Sequence, residues 1–128
     1  MDFNEVTLVG NLGQEPDIKQ FDNGGKVCNL SVATSRKWKT GGAKQEKTEW
    51  NKVVIRDEKL IESVVPMLQS GTRVLIKGRL ETRSYDKDGQ AHYITEVIVP
   101  KFEGKLIIQA RGKGWSDNGG EIPTDTPF

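Results

Sequence analysis

The 128-residue chain holds one cysteine and one histidine. With Cys28 alone, no disulfide can form within the chain, which excludes a disulfide-stapled scaffold. With His92 as the only histidine, neither a zinc site of the usual type nor a Cys–His nucleophile pair is available. His92 stands beside a turn and reads as a surface or strand residue, and Cys28 as a small buried hydrophobe. There is no G-x-x-x-x-G-K-[ST] phosphate loop and no G-x-S-x-G elbow, and the carboxylates are scattered over turns and strand edges. A binding protein without metal or cofactor is therefore expected, not an enzyme. No stretch approaches the roughly 20 apolar residues of a membrane helix. The first residues, Met1-Asp2-Phe3-Asn4-Glu5, are acidic and lack the basic and then apolar regions of a signal peptide, so a cytoplasmic protein is expected.

Charge is present in quantity but unevenly placed. The net charge is only +1, yet all 19 basic residues fall between Met1 and Lys113. That body carries +4, whereas residues 114–128 carry −3 through Asp117, Glu121 and Asp125. Within the body, residues 36–59 hold eight bases against four acids. A basic patch of this kind suits a phosphate backbone, although such runs also serve simply as solvated surface.

Along residues 1–110 the pattern is one of strands punctuated by glycine-rich turns. Residues 4–12 alternate around Val6 and Leu8, with Gly10 as a bulge or a site of close approach. After the turn Asp22-Asn23-Gly24-Gly25, residues 26–35 place Cys28, Leu30, Val32 and Thr34 on one face. Residues 39–47, with Gly41-Gly42 and three lysines, read as a mobile basic loop. In residues 48–55, Trp50, Lys52 and Val54 share a face opposite Glu49, Asn51, Val53 and Ile55. Asp57 caps a helix that should end near Val65, because Pro66 interrupts the helical spacing of Leu60, Ile61, Val64, Val65 and Leu68. Residues 72–85 and 91–99 form a hairpin across Asp86-Lys87-Asp88-Gly89, and residues 101–109 add an edge strand. The expected fold class is all-β, a five-stranded Greek-key OB barrel with one short helix between its third and fourth strands. Residues 1–110 form that domain. Residues 111–128 turn to Gly, Asp, Asn, Ser, Thr and Pro and are expected as a flexible tail.

The remaining chemistry lies in aromatics interleaved with bases. Trp38 sits in Arg36-Lys37-Trp38-Lys39, Trp50 shares a face with Lys52, and Tyr85 follows Arg83. Single strands are bound without sequence preference by cations that track phosphates and flat rings that stack on unpaired bases. Trp38, Trp50 and Tyr85 are the candidate stacking residues. Lys37, Lys39, Lys52, Arg56, Arg73, Lys77, Arg79 and Arg83 are the candidate phosphate contacts. The same residues would serve an RNA-binding OB module, and a protein-interaction adaptor would use the tail instead.

Five blocks in order extend the case: Val9-Gly10-Asn11-Leu12-Gly13-Gln14-Glu15-Pro16, Asn23-Gly24-Gly25, Thr48-Glu49-Trp50-Asn51-Lys52-Val53-Val54, Ile76-Lys77-Gly78-Arg79-Leu80-Glu81-Thr82-Arg83 and Thr95-Glu96-Val97. Together they closely resemble the bacterial-type single-stranded DNA-binding proteins, from about Asn4 to Val99. The resemblance implies an OB fold assembled as a homotetramer, or at least a homodimer, that coats single-stranded DNA during replication, recombination and repair. It also implies that Trp38, Trp50 and Tyr85 stack on bases, Tyr85 standing where a tryptophan is common. The edge of residues 4–12 is the candidate for pairing between copies. Two departures stand out. Arg56 occupies a place where the family often has a stacking phenylalanine, exchanging a ring for a phosphate contact or a guanidinium platform. The acidic tip is reduced: Pro127 and Phe128 match the family ending and Asp125 keeps one acid, which implies a weakened docking peptide for replication and repair enzymes. Trp115 has no counterpart in the family pattern.

Overall fold

Strand alternation builds a barrel here because every second side chain is apolar and can be buried on one face. In the computed structural model, which describes residues 1–110, the strands are β1 (Val6–Leu12), β2 (Asp17–Gln20), β3 (Lys26–Thr40), β4 (Ala43–Ile55), β5 (Arg73–Lys87), β6 (Gln90–Val99) and β7 (Lys105–Ala110). Helix α1 (Glu58–Ser63) and a 3-10 turn, Val65–Met67, lie between β4 and β5. Asp57 caps α1 by accepting a hydrogen bond from the Lys59 amide at 3.0 Å, and Pro66 sits in the 3-10 turn where the helix has already stopped.

The sheet runs β1-β3-β4-β6-β5-β7, and pairing of β1 with β5 closes five of these strands into a barrel. The core is the inward set predicted by alternation: Cys28, Leu30 and Val32 from β3, Val53 and Ile55 from β4, Val74 and Ile76 from β5, and Val97 and Val99 from β6. Ile61, Val65 and Leu68 join the same cluster from the helical connection. Cys28 is completely buried, and that desolvation, with a smaller contribution from Asp17, pushes its thiol up to about 11. Gly10 marks a close approach, since a Cβ there would stand 2.1 Å from the Ala33 carbonyl oxygen.

Three features differ from expectation. β2 appears where no strand is expected; all four of its residues are exposed, so it carries no alternation to read. The basic segment 39–47 is a hairpin instead of a loop. Its strands pair as far as Thr40 with Ala43, and Gly41 and Gly42 supply the two positive φ values that a two-residue turn requires. Third, the edge strand β7 begins only at Lys105, after a turn containing Phe102 in the left-handed region. The expected tail, with Asp125, Pro127, Phe128 and Trp115, lies outside the described residues.

Candidate nucleic-acid interface

Two ribbons leave the barrel, one from β3 and β4 and one from β5 and β6, and their exposed residues carry the predicted site. Residues opposite each other across a pair share a face, so the register assigns each side chain to a side. Trp50 faces Ala33 and Lys52 faces Ser31 across β3–β4. Arg83 faces Ile94 and Tyr85 faces His92 across β5–β6, while Val54 stands beside Ile98 where β4 and β6 run parallel. These residues lie on one outer face of the β4–β6–β5 sheet. Two ion-pair clusters confirm the placement across strands.

The first cluster centres on Glu96, which is only 3% exposed. Its Oε1 accepts a hydrogen bond from Arg83 Nε at 2.8 Å, and its Oε2 lies 3.5 Å from Lys52 Nζ. The bond to Glu96 raises the pKa of Arg83 above its ordinary value. The second cluster centres on Glu81, held by Arg79 Nε at 2.7 Å and Arg56 Nη1 at 3.5 Å. Two acids are thus shared among four bases, and the patch keeps a positive excess. Pairs between exposed side chains contribute only about 0–1 kcal/mol, so phosphates can compete for Arg56 and Arg79 at little cost. Glu96 is different: its burial makes it a fixed anchor that aims Lys52 and Arg83 along the surface.

Flanking this charged strip are the rings. Trp50 is 62% exposed and Tyr85 42% exposed, so neither belongs to the core. Tyr85 is backed on one side by His92, whose ring is stacked at a centroid distance of 5.4 Å and an interplanar angle of 22°. The stack braces the phenol ring, which is still 42% exposed. Trp38 is placed differently. It pairs with Gln45 and alternates with the opposite set, so it lies on the reverse side of the β3–β4 ribbon, with the Arg36 guanidinium 5.5 Å from its ring centre.

The predicted phosphate contacts divide by their place along the strands. Lys52, Arg56, Arg79 and Arg83 share the face of Trp50 and Tyr85. Lys37 and Lys39, opposite Glu46 and Lys44, lie on the Trp50 side of the β3–β4 ribbon, nearer its turn than Trp50, and make no ion pair among the described residues. Lys77 sits between β1 and β7, paired with Glu5 at 3.4 Å, away from the rings. Arg73, on the same stretch, donates to Asn11 Oδ1 at 2.8 Å, and desolvation lowers its pKa. Sequence reading missed Glu96 and Glu81 as organisers of the site. An acid on an exposed-looking strand gives no sign of burial, but the two bases one strand away supply the reason for it.

A β-sheet face carrying flat rings and aimed cations is what an extended polyanion with stackable groups needs. Residues 3–104 match the model of the Single-strand binding protein family, which covers most of the chain. The chain belongs to this family. Among solved structures, one titled the Plasmodium falciparum SSB complex with ssDNA is similar to it, with a TM-score of 0.78 and 33% sequence identity. The match covers 84% of this chain and 96% of that one. The family region ends within the described barrel, so all eight phosphate candidates and all three rings fall inside it.

Proposed function

We propose that this single-strand binding family member binds single-stranded DNA independently of sequence, stacking bases on Trp50 and Tyr85 and holding phosphates on the intervening bases. The observation that carries the reading is the single outer face on which exposed rings flank the Lys52–Glu96–Arg83 and Arg56–Glu81–Arg79 clusters. Trp38, Lys37 and Lys39 serve the same strand as it wraps onto the β3–β4 ribbon. The likeness to an SSB whose structure is titled as a complex with ssDNA supports this choice of ligand over RNA. The cellular role that follows is to coat exposed strands during replication, recombination and repair in the cytoplasm. Self-association into a dimer or tetramer is part of the proposal. Along one edge β1 pairs with β5, whereas its other edge meets β3 only at Asn11 and Leu12, leaving Val6–Gly10 able to pair with a second copy. Docking of replication and repair enzymes is assigned to Asp125, Pro127 and Phe128.

The test is a tryptophan-fluorescence titration with oligo-dT, oligo-U of matched length and duplex DNA over a series of salt concentrations. Strong quenching by oligo-dT, weaker quenching by oligo-U and none by duplex is the expected order. The affinity for oligo-dT should fall with salt by a log–log slope of about −0.7 for each phosphate engaged. Tighter binding of oligo-U would move the assignment to an RNA-binding module. No quenching by any of the three would move it to a protein adaptor.

A further inference from the structure

Beside the charged strip, a cleft of about 630 Å³ opens between the β2–β3 turn and the sheet, within the roughly 300–1,000 Å³ typical of small-ligand clefts. Phe21 stands at its rim, 52% exposed although it is one of the few large aromatics in the chain. Its backbone is fixed. The Phe21 amide donates to the Gly25 carbonyl at 2.7 Å, and its own carbonyl accepts from the Gly24 amide at 2.9 Å. Asn23 Oδ1 tightens the same turn by accepting from the Gly25 amide at 2.9 Å. A closed turn therefore fixes the backbone from which this half-exposed ring projects.

The charge around this ring is one-sided. Lys19, Lys26 and Lys101 line the cleft and make no ion pair among the described residues. Arg56 and Arg83 line it too, and they are the same side chains that belong to the Glu81 and Glu96 clusters. Among the described residues, Glu58 and Glu96 are the only acids lining it. The cleft is thus continuous with the face bearing Trp50 and Tyr85, and its uncompensated charge is positive.

We propose that this cleft is an additional nucleotide subsite, in which Phe21 stacks on an unpaired base and Lys19, Lys26 and Lys101 hold the adjoining phosphates. The inference rests on the single-strand binding reading and extends the strand's path past Arg56 to the β2–β3 turn. A polyanion fits better than an acidic peptide, because the cleft sets a flat, half-exposed ring among five cations. Because the subsite lies at the end of the path, only oligonucleotides long enough to span from Trp50 to Phe21 engage it.

The test compares Phe21→Ala, Phe21→Tyr and the parent in titrations with oligo-dT of increasing length, followed by the fluorescence of the retained tryptophans. Loss of one stacked base at the low end of its usual contribution corresponds to about a fivefold loss of affinity. The alanine variant should show that loss, or more, for long oligonucleotides, equal the parent for short ones, and quench fully at saturation. The tyrosine variant should restore the parent affinity. An alanine variant that matches the parent at every length would overturn the subsite while leaving the main face intact. A parent protein that fails to bind oligo-dT at all would instead overturn the underlying reading.

Discussion

Replacing Trp50 by alanine is expected to weaken oligo-dT binding by about 1–3 kcal/mol, or roughly 5- to 150-fold, with the barrel still folded. The range is the usual contribution of a base stacked on an aromatic ring in single-strand binding proteins, the class to which this chain belongs. Two observations explain why the loss should appear in binding and not in stability. The ring is 62% exposed, so its removal leaves no cavity in the core. It also lies against Gly13, where an added Cβ would come within 2.3 Å of Trp50 Cζ3. Glycine at that position leaves room for the indole directly against the backbone, which limits its freedom before any base arrives. Titration of the variant by anisotropy, with circular dichroism to verify folding, gives the comparison. A folded variant with the parent's affinity would remove Trp50 from the interface.

A change in the core should act in the opposite way. Ile76 is fully buried near the start of β5, opposite Leu8 of β1 and Leu106 of β7. Ile76→Ala should therefore cost about 2–5 kcal/mol of folding stability, combining lost apolar burial with the cavity left behind. Each kcal/mol lowers the melting temperature of a domain of this size by about 4 °C. The binding residues of β5 occupy its other end and its outer side, so the fraction that remains folded should bind oligo-dT as the parent does. Urea unfolding followed by titration below the transition separates the two quantities. A stability loss under 1 kcal/mol would show that β1, β5 and β7 are not packed around Ile76 as described.

How much of this was legible beforehand depended on whether a residue's environment is local. The alternation of Cys28, Leu30 and Val32 and the pairing of Trp50 with Lys52 on one face follow from strand geometry alone, and both hold in the structure. The segment around Gly41-Gly42 was misleading because lysine and glycine are common to loops and to exposed hairpins. Only cross-strand partners such as Trp38 with Gln45 separate the two. β2 left no signal because all its residues are exposed and its strand character comes from pairing with β3. The same holds for the acids at the interface. Thr95-Glu96-Val97 reads as a strand with one solvated charge, yet folding brings Lys52 and Arg83 onto that carboxylate and buries it. Phe21 was overlooked because it precedes a turn, where exposed aromatics are ordinarily incidental; its surroundings are supplied by Lys101 and Arg56 from distant parts of the chain.

The central claim is that one face of the β4–β6–β5 sheet carries the strand, and photocrosslinking tests it most directly. Oligo-dT with 5-iodouracil at every position in turn would be bound to the protein, irradiated, digested and mapped by mass spectrometry. The account predicts crosslinks at Trp50 and Tyr85, and on the β3–β4 ribbon at Trp38. Crosslinks confined to the β1–β5–β7 side, around Lys77 and Arg73, with none at Trp50 or Tyr85, would contradict it.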